Sequence, residues 1–246
     1  MAILEAFAPG GVRLTLTEIC RRAGVPLATG HRLVRELTGG GFLDRLPDGS
    51  YRIGIRLWRI GAQASAATGL RELALPHMED LYEVTHENVQ LAVESDGKAL
   101  YIERLRGPRS VPIVTRVAAE LPLHSTGVGK VLLANSPAEF IEKILADGLP
   151  AHTKHTITDP DRMRTCLCEV RRSGYAVTRE EMTLGSCSVA APVHAVDGSV
   201  MAALSLVIRR NNADLRRLVP VVVTAARALS RDIALHGGST EWKDMA

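Results

Sequence analysis

The sequence predicts an α+β protein in two parts, because two different patterns follow one another along the chain. Residues 15–54 combine apolar residues at helical spacing with two short strand-like stretches. From residue 89 onwards, alternating strand-like segments are interleaved with amphipathic helices, a pattern typical of an antiparallel sheet flanked by helices. We therefore predict an N-terminal domain at 1–58, a connector helix at 59–69 and a C-terminal domain at 70–246.

The first predicted helix begins after Thr15, whose hydroxyl can cap it, and Glu18 three residues later can complete a capping box. Gly24 follows the helix, where a left-handed residue is needed. The apolar face of this helix consists of residues at helical spacing, which are Leu16, Ile19, Cys20 and Ala23.

The second predicted helix has Pro26 in its first turn and ends at the glycines 39–41. Its apolar side consists of Gly30, Leu33, Val34 and Leu37. Strand-like stretches at 43–46 and 50–53 then flank a Pro-Asp-Gly turn. The order of helix, turn, helix and hairpin predicts a winged helix-turn-helix, which places one helix in a DNA major groove.

The charge of the chain is concentrated at this end. Residues 1–69 contain nine arginines, no lysine and five acidic residues, which gives +4, whereas the whole chain carries +3. A local positive excess suits contact with phosphates, although an ordinary solvated helix pair can carry a similar charge.

The C-terminal part is predicted to open with a helix at 70–85 that buries Leu73, Met78, Leu81 and Val84. A hairpin at 89–103, helices at 137–146 and 160–173, strands at 175–178, 186–194 and 200–208, and a final helix at 214–236 follow. Consecutive hairpin strands beside helices predict the antiparallel sheet.

Composition restricts the class of protein further. Aromatic residues make up only 4% of the chain, so base stacking on an aromatic platform is not expected. The four cysteines, at 20, 166, 168 and 187, form no disulfide pattern, and we find neither a signal peptide nor an apolar run that could span a membrane. We therefore expect a cytoplasmic protein without membrane contact.

Several blocks of the chain resemble the IclR family of bacterial transcriptional regulators. They are Leu16-Thr-Glu-Ile through Arg32-Leu-Val, Tyr51-Arg-Ile-Gly-Ile-Arg-Leu, Leu121-Pro-Leu-His-Ser-Thr-Gly-Val-Gly-Lys130, Gly174-Tyr-Ala-Val-Thr-Arg-Glu-Glu181, Gly185-Ser-Cys-Ser-Val-Ala-Ala-Pro-Val193 and Ala203-Leu-Ser205. The resemblance extends over nearly the whole chain. It implies a winged helix-turn-helix, a connector helix and a GAF- or profilin-like domain that binds a small effector, in a homodimer or dimer of dimers.

The DNA-reading helix of the family corresponds to residues 26–37. The resemblance implies contact with bases or phosphates by residues of this helix and of the wing, which are Thr29, His31, Arg32, Arg35, Arg45 and Arg52. The family usually has a larger apolar residue at the position of Gly30. Because glycine in a helix costs about 1 kcal/mol, we expect a looser recognition helix here.

The family's effector pocket corresponds to three stretches of this chain. The residues concerned are Ser125, Thr126, Gly127, Val128, Gly129, Thr178, Cys187, Ser188 and Ser205. Backbone N–H groups at the helix start near Gly127 can bind a carboxylate. In members that bind small oxo-acids, an acid and a cysteine recur where Thr178 and Ser188 stand here, which leaves the ligand class open. The alternative role of each hydroxyl is to bond within its own sheet. We expect Glu180 or Glu181 to face solvent or bond the backbone.

Enzyme and metal functions do not fit the spacing of the motifs. The run at 124–131 lacks the first glycine and the hydroxyl of a phosphate loop, and the run at 185–188 lacks the closing glycine of a nucleophile elbow. His152, His155, Cys166 and Cys168 could suggest zinc, but the two cysteines are two apart on a predicted helix and point to different sides. We expect no catalytic activity, cofactor or metal.

The sequence therefore predicts a regulator that binds double-stranded operator DNA and responds to a small anionic metabolite. Two alternatives remain open at this stage. One is a GAF-like sensor whose N-terminal module serves dimerisation rather than DNA binding, and the more remote one is a hydrolase that uses Cys187.

Overall fold

The computed structural model describes residues 1–8, 13–61, 65–107 and 110–236. The chain divides into two compact units, Met1–Thr68 and Gly69–Ala246. Part of the predicted connector, residues 62–64, lies outside the described residues.

The first unit contains four complete helices and a hairpin among its described residues. They are α1 (Ala2–Glu5), α2 (Leu16–Ala23), α3 (Leu27–Gly39), β1 (Leu43–Arg45), β2 (Tyr51–Ile53) and α4 (Ile55–Gly61). The predicted capping box is confirmed, since Thr15 and Glu18 each accept a hydrogen bond from the other's backbone N–H. Gly24 has φ 65°, as the left-handed end of α2 requires. Pro26 is the N-cap of α3 and not its first helical residue, because its ψ of 147° is extended.

The core of the first unit lies between α1, α2, α3 and the hairpin. It consists of Ile3, Ala6, Phe7, Leu14, Ile19, Val34, Leu43 and Tyr51. The polar side of α3 remains exposed, as the sequence predicted. In the hairpin, Asp48 accepts hydrogen bonds from the backbone and hydroxyl of Ser50, which fixes the turn.

Helix α5 (Ser65–Thr85) starts in the first unit and continues into the second. The second unit then contains β3 (Asn88–Ser95), β4 (Lys98–Leu105), β5 (Glu120–Pro122), α6 (Gly127–Ala134), α7 (Ala138–Ala146), α8 (Pro160–Ser173), β6 (Ala176–Arg179), β7 (Ser186–His194), β8 (Val200–Arg209) and α9 (Leu215–His236). The prediction that α5 buries Val84 is wrong, since this side chain is 73% exposed, while Met78 and Leu81 are buried.

The six strands of the second unit form one antiparallel sheet in the order β5-β4-β3-β8-β7-β6. The short strand β5 has no pattern of its own in the sequence, because three residues cannot show alternation. The long strands β3 and β8, which come first and last along the chain, pair with each other at the centre of the sheet. Residues that are far apart in sequence are therefore neighbours there.

Alternate residues of the strands face different layers. Ala190 and Ala203 belong to a core cluster that also contains residues of α6 and α8, such as Val131 and Leu167. The intervening residues of β7 are buried as well, and α9 packs against β7 and β8. One face of the sheet is therefore covered by α6, and this face carries the candidate site.

Candidate effector cavity and DNA-binding surface

A cavity lies in the second unit between the start of α6 and the face of the sheet that α6 covers. It contains about 410 Å³ of space between the atoms, its open mouth included. The lining residues are Gln90, Tyr101, Ile113, Val114, Thr115, Leu121, Ser125, Thr126, Gly127, Val128, Thr178, Met182, Thr183, Ser186, Ser188, Ser205 and Val207. They come from all six strands of the sheet, from the start of α6 and from the loops that carry residues 113–115 and 182–183.

The start of α6 provides backbone donors at one end of the cavity. Thr126 is the N-cap, and its hydroxyl accepts a hydrogen bond of 3.1 Å from the N–H of Gly129. The N–H groups of Gly127 and Val128 have no hydrogen-bond partner among the described residues. Both residues line the cavity, so two donors and the positive end of the helix dipole are available there.

The sheet places two hydroxyls beside these donors. Thr178, Ser188 and Val207 are register partners across β6, β7 and β8. Thr178 and Ser188 are buried, and neither hydroxyl has a hydrogen-bond partner among the described residues. Gly127 allows this arrangement, because a Cβ at its position would lie 2.6 Å from Ser188 Oγ. The alternative role, bonding within the sheet, therefore does not describe these two side chains.

A chain of hydrogen-bonded polar side chains runs from β8 through β3 to residue 115. Ser205 Oγ donates to Gln90 Oε1 at 3.4 Å, and Gln90 Nε2 donates to Thr115 Oγ1 at 2.5 Å. Arg104 donates to the carbonyl of Thr115 and to Asn88 Oδ1. These bonds hold residues 113–115, which form one wall of the cavity, against β3 and β4.

The rest of the cavity is apolar and uncharged. Its walls include Ile113, Val114, Leu121, Met182 and Val207. None of the described residues that line the cavity is an Asp, Glu, Lys, Arg or His. Tyr101 is uncharged as well, because burial raises the pKa of its phenol. A bound anion would therefore be neutralised by backbone donors and hydroxyls and not by an ion pair.

Seven of the nine residues predicted to contact an effector line this cavity, and their role in binding remains a prediction. The structure places Gly129 and Cys187 elsewhere. A Cβ on Gly129 would meet the backbone of Leu123, and its N–H is already used by Thr126. Cys187 lies between Ser186 and Ser188 on β7, so strand alternation turns it to the other face. Burial raises the pKa of its thiol, which disfavours the thiolate that a Cys187 hydrolase would need.

The lining residues that the sequence did not single out include Gln90, Tyr101, Thr115 and Met182. Gln90 stands in an otherwise apolar run of β3, and a buried polar residue in such a run is a usable signal. The others come from separate elements that only the folded sheet and loops bring together.

A buried ion pair fixes the loop that carries Met182 and Thr183. Lys130 Nζ lies 2.6 and 2.7 Å from the two carboxylate oxygens of Glu181, and only 1% of the Lys130 side chain is exposed. The carbonyls of Glu180 and Glu181 accept hydrogen bonds from Thr153 and Thr156. The loop is thereby tied to α6 and to the 153–156 segment.

The neighbouring Glu180 has a different function in the same loop. Its carboxylate accepts a hydrogen bond from the N–H of Gly185 at 2.7 Å and pairs with Arg210. The pKa of Glu180 is lowered chiefly by the hydrogen bond from the Gly185 N–H, and also by Arg210 and His155. The expectation that one of the two glutamates bonds the backbone is confirmed. Glu180 also has φ 59°, so these contacts stabilise a left-handed residue.

The predicted DNA-contacting residues are exposed on α3 and the hairpin. Thr29, His31, Arg32 and Arg35 lie on the outer side of α3, and Arg45 and Arg52 lie on the two strands. Arg32 is paired with Glu36 at 2.9 Å, and Arg52 with Asp44 at 3.1 Å. Both pairs are solvent-exposed and weak, so phosphate or base contacts can replace them.

Gly30 is part of the packing between α2 and α3. It is buried, and a Cβ at its position would lie 2.1 Å from Cys20 Sγ. The expected looseness of the recognition helix is therefore opposed by a contact that only glycine permits.

Among the described residues, no group of three or more His, Cys, Asp or Glu side chains is arranged to hold a metal. His152 packs against His124 with 5.7 Å between ring centroids, and His155 lies 3.5 Å from Glu180. No helix in the described part of the chain is long and apolar enough to cross a membrane.

An exposed basic helix in a winged helix-turn-helix, together with a second unit that holds a small-molecule cavity, defines a ligand-responsive DNA-binding regulator. Comparison with known proteins assigns the family. Residues 1–47 match the IclR helix-turn-helix domain, and residues 62–234 match the C-terminal domain of the bacterial transcriptional regulator IclR. The chain belongs to the IclR family, so its N-terminal module binds DNA and does not serve dimerisation alone.

Individual relatives agree with this assignment. The chain is 34% identical to the glycerol operon regulatory protein of Streptomyces coelicolor, over 94% of this chain and 93% of that protein. It is 29% identical to the transcriptional repressor IclR of Escherichia coli, over 84% of this chain and 77% of the repressor. An IclR homolog of Microbacterium hydrocarbonoxydans, solved in complex with 4-hydroxybenzoate, superposes with a TM-score of 0.90 at 35% identity, covering 95% and 97% of the two chains. These relatives are named as regulators and not as enzymes.

Proposed function

We propose that this regulator binds a near-palindromic operator as a homodimer and that a small monocarboxylate in the cavity changes its affinity for that operator. The observation that carries the ligand assignment is the group of four polar atoms at one end of the cavity. The unpaired N–H groups of Gly127 and Val128 lie there with the unpartnered hydroxyls of Thr178 and Ser188.

The rest of the cavity restricts the ligand to one carboxylate. The helix start stabilises a single negative charge, whereas a second carboxylate would lie against apolar walls such as Leu121 and Val207 without a partner. An apolar body therefore suits the remainder of the ligand. The Microbacterium relative binds 4-hydroxybenzoate, a molecule of this type, and we propose an aromatic monocarboxylate for this chain.

The homodimer assignment is supported by the exposed apolar surface of α4. This helix has no buried residue, and Ile55, Trp58 and Ile60 are 68%, 66% and 54% exposed. Three large apolar side chains on one short helix favour burial against a second copy. A dimer also doubles the base contacts of a single winged helix and fixes the half-site spacing.

Calorimetric titration tests the ligand class directly. We expect 4-hydroxybenzoate to bind at least about tenfold more tightly than 4-hydroxybenzamide, which has the same ring without the charge. Equal affinity for the two compounds would exclude the carboxylate site. The operator, recovered by selection from fragmented genomic DNA, should change the affinity for the acid by the same factor as the acid changes operator affinity.

Two adjacent residues of β7 provide the matched variants. Ser188→Ala removes a hydroxyl from the cavity and should lower the affinity for 4-hydroxybenzoate by about tenfold, because a hydrogen bond to a charged group is lost. Cys187→Ala changes the neighbouring side chain on the other face and should leave the affinity unchanged. If both variants behave alike, the proposed position of the ligand is wrong.

The dimer is tested separately by Trp58→Glu. This variant should sediment as a smaller species and lose specific operator binding, while its circular dichroism remains that of the wild type. Unchanged sedimentation would show that α4 is not the contact.

A further inference from the structure

Arg56 of α4 holds the turn that follows the recognition helix α3. Its Nη1 donates a hydrogen bond of 2.9 Å to the carbonyl oxygen of Gly40. Its guanidinium carbon lies 5.3 Å from the centroid of the Phe42 ring, which is within the range of a cation–π contact. The aliphatic part of the side chain passes over Gly41, where a Cβ would lie 3.7 Å from Arg56 Cδ. One side chain therefore contacts all three residues between α3 and β1.

Few other contacts fix the orientation of α4 relative to α3. The backbone N–H of Gly54 donates a hydrogen bond of 2.8 Å to the carbonyl of Phe42, and a Cβ at Gly54 would overlap the carbonyl of Gly41. Helix α4 has no buried residue, and only Leu57 in it is half-buried. No other α4 side chain makes a hydrogen bond, salt bridge or ring contact to the described part of the chain. The angle between the two helices therefore depends on Arg56 and on the chain connection at Gly54.

We propose that Arg56 is a positioning residue that sets the distance between the two recognition helices of the homodimer, and through it the preferred spacing of the operator half-sites. The proposal rests on the homodimer proposed above, in which α4 carries the contact with the second copy. The angle between α4 and α3 then fixes where each α3 lies relative to the two-fold axis. One base pair corresponds to about 3.4 Å along the DNA, so a small change of this angle changes the spacing that fits both half-sites.

The contact uses the shape of the guanidinium group as well as its charge. Gly40 is the C-cap of α3, so its carbonyl lies at the negative end of the helix dipole and favours a cation. A planar guanidinium donates to this carbonyl and presents its face to the Phe42 ring at the same time, whereas a lysine ammonium is a point charge without a flat face. A contact with a DNA phosphate would need only the charge. Arg56→Lys therefore separates positioning from direct DNA contact.

Operators of different spacing test this role in the full-length protein without effector. In synthetic duplexes, the two half-sites of the recovered operator are moved apart or together by one and by two base pairs. Fluorescence anisotropy at fixed salt then gives the dissociation constant for each duplex and for a single half-site. The wild type should bind its preferred spacing at least about tenfold more tightly than the neighbouring ones. Arg56→Gln should reduce this preference to less than about threefold and leave the affinity for a single half-site unchanged.

Further variants separate the contact from the charge. Arg56→Lys and Phe42→Leu should both weaken the spacing preference, because each removes the stacking of the guanidinium on the ring. Arg59→Gln is the matched control, since it removes a positive charge from the same exposed helix. The Arg59 side chain forms no salt bridge or hydrogen bond with the residues that the structure describes. Its spacing preference should be that of the wild type.

Three results would overturn this role of Arg56 and leave the homodimer and the effector site intact. The first is an Arg56→Gln variant that keeps the wild-type spacing preference. The second is an equal loss of affinity at every spacing and at a single half-site, restored by Arg56→Lys, which would make Arg56 a phosphate contact. The third is an Arg59→Gln variant that behaves like Arg56→Gln. A wild type without any preferred spacing would overturn the homodimer, and the role of Arg56 with it.

Discussion

The ammonium group of Lys130 is held between both carboxylate oxygens of Glu181, at 2.6 and 2.7 Å, inside the second unit. The two residues are 51 positions apart, and both are buried. Lys130 follows the helix start that lines the cavity, and Glu181 directly precedes Met182 and Thr183 of its wall. The pair therefore joins two sides of the proposed ligand site.

Breaking this pair should be costly. Glu181→Gln leaves a buried ammonium without its counter-charge, and we expect a loss of about 3 to 5 kcal/mol in the free energy of unfolding. Replacing both residues, as Lys130→Met with Glu181→Leu, should cost far less, because no uncompensated charge remains. Urea denaturation of the three proteins measures the difference.

The exposed pair of Lys98 and Glu120 is the control, since its atoms approach to 2.9 Å but both side chains are about half exposed. Glu120→Gln should change stability by at most about 1 kcal/mol. If Glu181→Gln costs no more than this control, the buried pair does not stabilise the loop.

Gly30 should resist substitution because of Cys20. In Gly30→Ala the new methyl carbon would lie 2.1 Å from Cys20 Sγ, and relieving this overlap should cost about 1 to 3 kcal/mol. Adding Cys20→Ala should recover much of that loss. Gly39→Ala, in the same helix with no atom within 4 Å of the added carbon, should be neutral or stabilising. Thermal unfolding of the four proteins compares them, and equal effects at positions 30 and 39 would refute the packing explanation.

Operator binding should depend on Arg32. The side chain is exposed on α3 and held only by the weak pair with Glu36, so it can turn to a base edge. Arg32→Ala should weaken specific binding by about 1 to 3 kcal/mol in a titration at fixed salt. Arg162→Ala, an exposed arginine of α8, should have no such effect. An Arg32 variant with wild-type affinity would remove this residue from the DNA-binding surface.

The stability contributed by Glu180 should be lost in acid. Its pKa is lowered in the folded protein from an ordinary value of 4.5, chiefly by the hydrogen bond from Gly185. A lowered pKa contributes stability above the unfolded value, and this stability disappears as the pH falls through the folded value. Glu180→Gln should therefore destabilise the protein at pH values well above 4.5 and less below it. Urea midpoints at both pH values test this, and a pH-independent difference would contradict it.

The sequence by itself determined the elements whose signals are local. The capping box of Thr15 and Glu18 and the left-handed Gly24 mark the two ends of α2 through contacts within a few residues. The strands β7 and β8 were predicted from a local signal as well, because each is a short, largely apolar run bounded by turn residues, and both faces of each strand are buried.

Only the tertiary structure decided which side chains meet. The neighbourhood of β3 and β8 brings Gln90 to Ser205, 115 positions away, and the start of α6 to Ser188. The same sheet turns Cys187 away from the cavity, and the packing of α5 leaves Val84 exposed beside α9. Such contacts depend on strand order and on close packing between distant segments, and hydrophobic periodicity carries no information about either.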